Sequence, residues 1–247
     1  MSKLQEIKEL CRTGTEDVQN CFGIKENLFE KYIENEVEKN DLLVPLIERR
    51  QNNFDWKIET KLGGPGTTLN AYILYALIRH FDMGNVLETG VAGGFYTTFM
   101  LAALKKNYPG RLISLELSDD EKEVGKLIPK ELRTPLDGAS GWDLRMGASS
   151  LEYFKTLKFL RTTHHAGLYS HDSLHTFSHM TKELLEFKQS SSKHFIVFFD
   201  DQMSDDFWNR SLKMKLFEKK GFEVKWISGS ESRLRGHIGG FIQYKRL

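Results

Sequence analysis

One stretch constrains the fold of this chain more than any other: Asn85 to Thr98, reading NVLETGVAGGFYTT. Val86 and Leu87 make a short apolar strand, Glu88 closes it, and Gly90, Gly93 and Gly94 interrupt it before an apolar helix starting at Phe95. A strand, a glycine turn and a helix in that order form half of an α/β unit. In open α/β sheets a small ligand sits at the carboxyl end of the strand, facing the helix N-terminus. The acid directly before the turn would repel pyrophosphate and attract a ligand with a cationic end.

The rest of the chain repeats the alternation. Arg111–Leu117 reads as a second strand ending at the acid Glu116, and Trp142–Met146 as a third, followed by Gly147, Ala148 and Ser149. Residues 166–170 read as a fourth, running into His171 and Asp172, and His194–Phe199 as a fifth, ending in Asp200 and Asp201. Helices are predicted over Phe95–Lys106 and Asp119–Leu127, along Phe177, Met180, Leu184 and Phe187, and from Ser204 to about Lys220. Two last strands, Phe222–Ile227 and Gly240–Tyr244, complete the pattern. Strand–helix alternation over residues 85–221 implies a doubly wound, mostly parallel α/β sheet. Ahead of it, residues 1–60 read as two or three amphipathic helices, with Phe29, Tyr32, Ile33 and Val37 at helical spacing. The breaker cluster Lys61–Thr68 reads as a loop, with Thr67 or Thr68 capping a helix that carries Leu69, Ile73, Leu77 and Ile78. Residues 1–60 are expected to form a helical extension or cap, and 61–247 the ligand-binding domain.

Composition narrows the function classes. Lys+Arg number 35 and Asp+Glu 34, so no bulk charge draws the chain to nucleic acid or an anionic membrane. No apolar run is long enough for a membrane span. The only cysteines, Cys11 and Cys21, make no disulfide framework, and the N-terminus lacks a signal-peptide core. A cytoplasmic protein acting on a small molecule, with self-association left open, is the expectation.

The turn Glu88-Thr89-Gly90-Val91-Ala92-Gly93-Gly94 resembles the first motif of the class I S-adenosylmethionine-dependent methyltransferases. Its ETGVA flavour resembles a small-molecule O-methyltransferase group (methyltransferase domain 24 type). Ala92 stands where many members have glycine. S-adenosylmethionine carries an ammonium and a sulfonium, which suits Glu88. The resemblance implies a Rossmann-like, seven-stranded sheet whose last two strands form an antiparallel edge pair. It also implies cofactor binding by Glu88, Gly90, Val91, Ala92 and Gly94, with Glu116 accepting the ribose hydroxyls. The aspartate that many relatives place after the third strand is absent, leaving Ser149, backbone or packing to hold adenine.

The segments SHDSLHTFSHM and IVFFDDQ resemble the fourth- and fifth-strand motifs of the same group. Carried over, Asp172, Asp200 and Asp201 would hold a divalent metal. Neighbouring strand ends lie about 4.8 Å apart, and an all-oxygen set favours Mg²⁺ over zinc. Asp200 and Asp201 converge only if the strand has already turned into a loop. His175, three residues after Asp172, occupies the place of a lysine base in catechol-type enzymes, and a histidine is a suitable base near neutral pH. His175 and Asp172 are the catalytic candidates. His171 should face away from the aspartate, and His179 is read as structural. Three other readings compete, the first being methylation of RNA or protein, which the neutral charge and lack of a nucleic-acid module oppose. A non-catalytic, methyltransferase-like binding subunit is suggested by Ala92 and the altered third-strand end. A nicotinamide-dependent oxidoreductase is opposed by Glu88, Ala92 and Phe95.

Overall fold

A computed structural model describes residues 3–52, 65–107, 110–135, 140–156, 167–174, 176–190, 194–199, 222–226 and 240–245. Three helical elements come first: α1 (Lys3–Phe22), a π-helix (Phe29–Val37) and α2 (Val44–Asn52). Phe29, Tyr32, Ile33 and Val37 are the buried side of the π-helix. Then follow α3 (Pro65–His80), β1 (Asn85–Thr89), α4 (Phe95–Lys106), β2 (Arg111–Glu116) and a short 3₁₀ turn (Lys130–Leu132). The remaining elements are β3 (Gly141–Met146), α5 (Ser150–Thr156), β4 (Gly167–His171), α6 (Phe177–Ser190), β5 (His194–Phe199), β6 (Phe222–Trp226) and β7 (Gly240–Lys245).

The sheet runs β3-β2-β1-β4-β5-β7-β6. β1 through β5 pair in parallel, and β7 is antiparallel to both β5 and β6. The order reverses at β1, which has β2 on one side and β4 on the other, so the crevice of an open α/β sheet lies over the end of β1.

Strand alternation divides the core in two. Val86, Leu112, Leu168, Ile196 and Phe198 face α3 and α4, in one cluster with Leu74, Phe99 and Met100. Cys11, Val18, Phe29 and Ile33 of the N-terminal helices belong to that same cluster. Leu87, Ile113, Tyr169, Val197 and Phe199 face the other way, onto Phe154 of α5 and Met180, Leu184 and Phe187 of α6. The π-helix is also fastened by charge. Glu36 accepts hydrogen bonds from Tyr75 Oη (2.8 Å) and Arg79 Nε (3.0 Å), and Lys106 Nζ lies 3.2 Å away.

Two sequence expectations are corrected here, and one helix is new. The segment Asp119–Leu127 forms successive turns rather than a helix. Its amides leave the helical ladder: Gly125 N–H donates to Ala92 O (2.7 Å) and Leu127 N–H to Gly93 O (2.9 Å), so the glycine turn outcompetes local helix formation. The helix expected after a Lys61–Thr68 loop starts earlier, at Pro65, where a missing N–H is tolerated in the first turn; residues 61–64 lie outside the described residues. Helix α5 was not foreseen, because its seven residues carry too little periodicity to register. The helix expected over Ser204–Lys220 lies outside the described residues.

Candidate active site

The turn after β1 is built by close approach. Gly90 has φ +83°, and a Cβ there would stand 1.8 Å from the carbonyl oxygen of Asp172. That approach lets Asp172 N–H donate to Thr89 O at 2.8 Å, tying the end of β4 to the end of β1. Gly94, also at φ +83°, is the N-cap of α4. Ala92 holds a left-handed conformation, φ +45°, which an L-residue adopts reluctantly. This is the physical reason a glycine would be at ease in its place.

Glu116 closes the turn from the β2 side. Its Oε2 accepts from Val91 N–H (2.8 Å) and Ala92 N–H (2.9 Å), and its Oε1 from Ser118 N–H (3.0 Å). Ala148 N–H donates to Glu116 O at 3.2 Å, which brings the segment carrying Ser149 onto the same rim. The turn thus brings Gly90 against Asp172, and Val91 and Ala92 against Glu116, with the segment carrying Ser149 beside Glu116, while Gly94 is buried against Ile128 and Gly125. The rim is accessible: Ala92 is exposed, Glu116, Ser149 and Asp172 are half-buried, and Leu117 is 77% exposed.

Glu88 is placed differently. It is buried, 1% exposed, on the α3/α4 side of the sheet. Its carboxyl accepts from Thr97 Oγ1 (2.8 and 3.0 Å) and from Ser114 Oγ (2.6 Å), which itself accepts from Trp142 Nε1 (2.9 Å). Burial pushes its pKa up to about 8; the two hydroxyls pull against that, and the nearby Asp172 and Glu116 carboxylates add to it. In this arrangement Glu88 braces the turn through α4 and β2 from beneath.

Of the remaining sequence candidates, His175, Asp200 and Asp201 lie outside the described residues. Among the described residues no group of three His, Cys, Asp or Glu side chains could hold a metal ion. His171 does face away from the crevice: it is fully buried, with Nε2 2.8 Å from Glu183 Oε2. Sequence reasoning missed Thr97, Ser114 and Trp142 as partners of Glu88. Ser114 left a trace as the polar residue that interrupts the apolar run Leu112–Leu115. It also missed Leu117 and Leu174, the exposed large hydrophobic residues of the described part, which follow the ends of β2 and β4.

The rim carries groups that a nucleoside-bearing, cationic ligand could use. It offers carboxylates at Glu116 and Asp172 and an exposed apolar side chain at Leu117, with Glu88 sealed beneath the turn. Residues 87–202 match a family model described as a methyltransferase domain. No curated protein sequence matches the chain. Solved structures do. An O-methyltransferase from Bacillus cereus in complex with SAH aligns at TM-score 0.55 and 14% identity, over 86% of this chain and 94% of that one. TomG, an O-methyltransferase from Streptomyces achromogenes involved in tomaymycin synthesis and solved with SAM, aligns at TM-score 0.54 and 14% identity, over 87% and 93%. A cofactor-bound protein from MTB aligns at TM-score 0.57 and 16% identity, over 86% and 93%. At these identities the likeness is one of fold. The chain thus carries a match to a methyltransferase domain over residues 87–202, on the fold that these solved structures share.

Proposed function

We propose that this enzyme transfers the methyl group of S-adenosylmethionine to a hydroxyl of a small molecule. The observation that carries the reading is the crevice over β1, where the glycine turn meets Glu116 on one side and Asp172 on the other. Glu116 keeps one acceptor site, on Oε1, for a ribose hydroxyl while it orders the Val91 and Ala92 amides. Leu117 offers adenine an apolar face and Ser149 a polar edge. Glu88 sets the turn from below. The cofactor supplies an electrophilic methyl on a positively charged sulfur.

The chain's own groups then have two tasks: to align the acceptor oxygen with the methyl–sulfur bond and to remove its proton. The new bond is oxygen to carbon, the broken bond is carbon to sulfur, and the proton goes to His175 or Asp172. Asp172 stands at the end of β4, next to the turn, on the acceptor side. A divalent cation is the finer part of the proposal. Asp172, Asp200 and Asp201 would hold it, and it would lower the hydroxyl pKa. Residues 1–60 would cap the acceptor side of the 61–247 domain.

Calorimetric titration with S-adenosylhomocysteine, with and without Mg²⁺, tests the reading. Saturable binding that Glu116→Ala weakens by about tenfold or more, as expected for losing hydrogen bonds to a charged acceptor, supports it. Absence of binding under both conditions overturns it. A Mg²⁺-dependent gain lost in Asp172→Ala supports the cation, and indifference to Mg²⁺ and chelator removes it.

A further inference from the structure

Helix α6 carries a charged residue where its neighbours are core. Met180, Leu184 and Phe187 are buried against the sheet, and Glu183, at 0% exposure, is buried with them. A carboxylate withdrawn from water is costly unless it is fully engaged. Burial works to raise the pKa of Glu183, but His171, Ser150 and His179 outweigh it and hold the carboxyl below its ordinary value. His171 Nε2 lies 2.8 Å from Oε2, His179 Nε2 3.2 Å from Oε1, and Ser173 Oγ donates at 3.2 Å to Oε2. The Ser150 hydroxyl completes the set.

The addresses of these partners are the informative part. His171 and Ser173 bracket Asp172 in the chain, one residue before it and one after. Ser150 opens α5, directly after Ser149. One buried carboxylate therefore reaches the two segments that flank the crevice, the β4 end on the acceptor side and the α5 start on the adenine side. An apolar side chain would fill the same place on α6 but could reach neither.

We propose that Glu183 is a positioning residue of this site, holding the Asp172 and Ser149 segments in one fixed relation from the far side of the sheet. The proposal rests on the methyltransferase reading above. Glu183 touches neither cofactor nor acceptor; it acts through His171, Ser173 and Ser150.

The test compares Glu183→Leu and Glu183→Gln with a control in the same core, Leu184→Ala or Leu184→Val, whichever matches the loss in melting temperature. Two quantities are read on the full chain: S-adenosylhomocysteine affinity by calorimetry, and amide exchange over residues 149–153 and 171–174. Glu183→Leu should weaken binding about tenfold, the scale of a lost hydrogen bond to a charged group. It should also accelerate exchange in those two segments alone. Glu183→Gln keeps the shape and an acceptor for His171, so it should recover affinity to within about threefold of wild type. Equal loss in the Leu184 control, or full affinity in Glu183→Leu, overturns the proposal. If Glu183→Leu does not fold, Ser150→Ala decides. It should weaken binding without moving the melting temperature, and unchanged affinity overturns the proposal. If wild type binds no S-adenosylhomocysteine, the cofactor reading fails separately. The exchange measurement then stands alone, and uniform rather than segment-specific acceleration overturns the positioning role.

Discussion

Replacing Glu88 by glutamine should make the protein more stable at neutral pH, and the gain should vanish in acid. The folded pKa of Glu88 is raised to about 8 from an ordinary 4.5, chiefly by burial. An acid with a raised folded pKa contributes its stability fully below the unfolded value and loses it as pH rises through the folded one. The window therefore runs from about pH 4.5 to about pH 8. Within it wild type loses up to about 1.4 kcal/mol per pH unit relative to a neutral side chain, and about 5 kcal/mol over the whole window as a ceiling. Glutamine suits the pocket. Its oxygen can accept from Ser114 Oγ, at the carboxyl's present 2.6 Å, while its amide donates to Thr97 Oγ1, at the present 2.8 Å. Urea or thermal melts of wild type and Glu88→Gln should coincide near pH 5 and diverge steadily to pH 8, by about 2–4 kcal/mol with the glutamine ahead. The difference between the two isolates this residue from every other titrating group. A difference that stays flat from pH 5 to 8 would refute the reasoning, because the carboxylate would then be ionised in the fold and sustained by its two hydroxyl donors.

Two smaller perturbations test other joints. Ala92→Gly should relieve a left-handed strain of about 1–2 kcal/mol, less the 0.5–1 kcal/mol that glycine gives back in chain entropy. A rise of a few degrees in melting temperature is expected, and a fall would show that the turn tolerates Ala92 without strain. Glu36→Ala removes the acceptor shared by Tyr75 and Arg79 and leaves a half-buried guanidinium less compensated. It should destabilise by about 1–3 kcal/mol. Limited proteolysis should cut residues 3–52 faster than the sheet, and unchanged cleavage there would mean that apolar packing alone seats the N-terminal helices.

The signals that survived from sequence to structure are short-range. The order strand, glycine turn, helix over Asn85–Lys106 depends on alternation, helical spacing and glycine placement, all within a few residues; α4 and β5 fall on their expected bounds, and β1 extends one residue either side of the expected Val86–Glu88. The same holds for the apolar side of the π-helix. A local pattern failed where its backbone amides found distant acceptors: Asp119–Leu127 has helical composition, but two of its N–H groups are taken by Ala92 and Gly93.

What the sequence by itself determined is an α/β alternation with an acid at the ends of β1, β2 and β4, because residue type and position on an element are local properties. Only the tertiary structure decided what each acid does. Glu88 and Glu116 each stand at or near a strand end, yet one is sealed beneath the turn by Thr97 and Ser114 and the other grips the turn's amides from the rim. Alternation says that neighbouring side chains point to opposite faces, but the crossovers that place β2 and β4 on either side of β1 decide which direction opens to the crevice. Glu183 shows the same limit. Helical spacing places it beside Met180 and Phe187 on the apolar side of α6, but its partners His171, Ser173 and Ser150 become neighbours only when α6 packs back across the sheet.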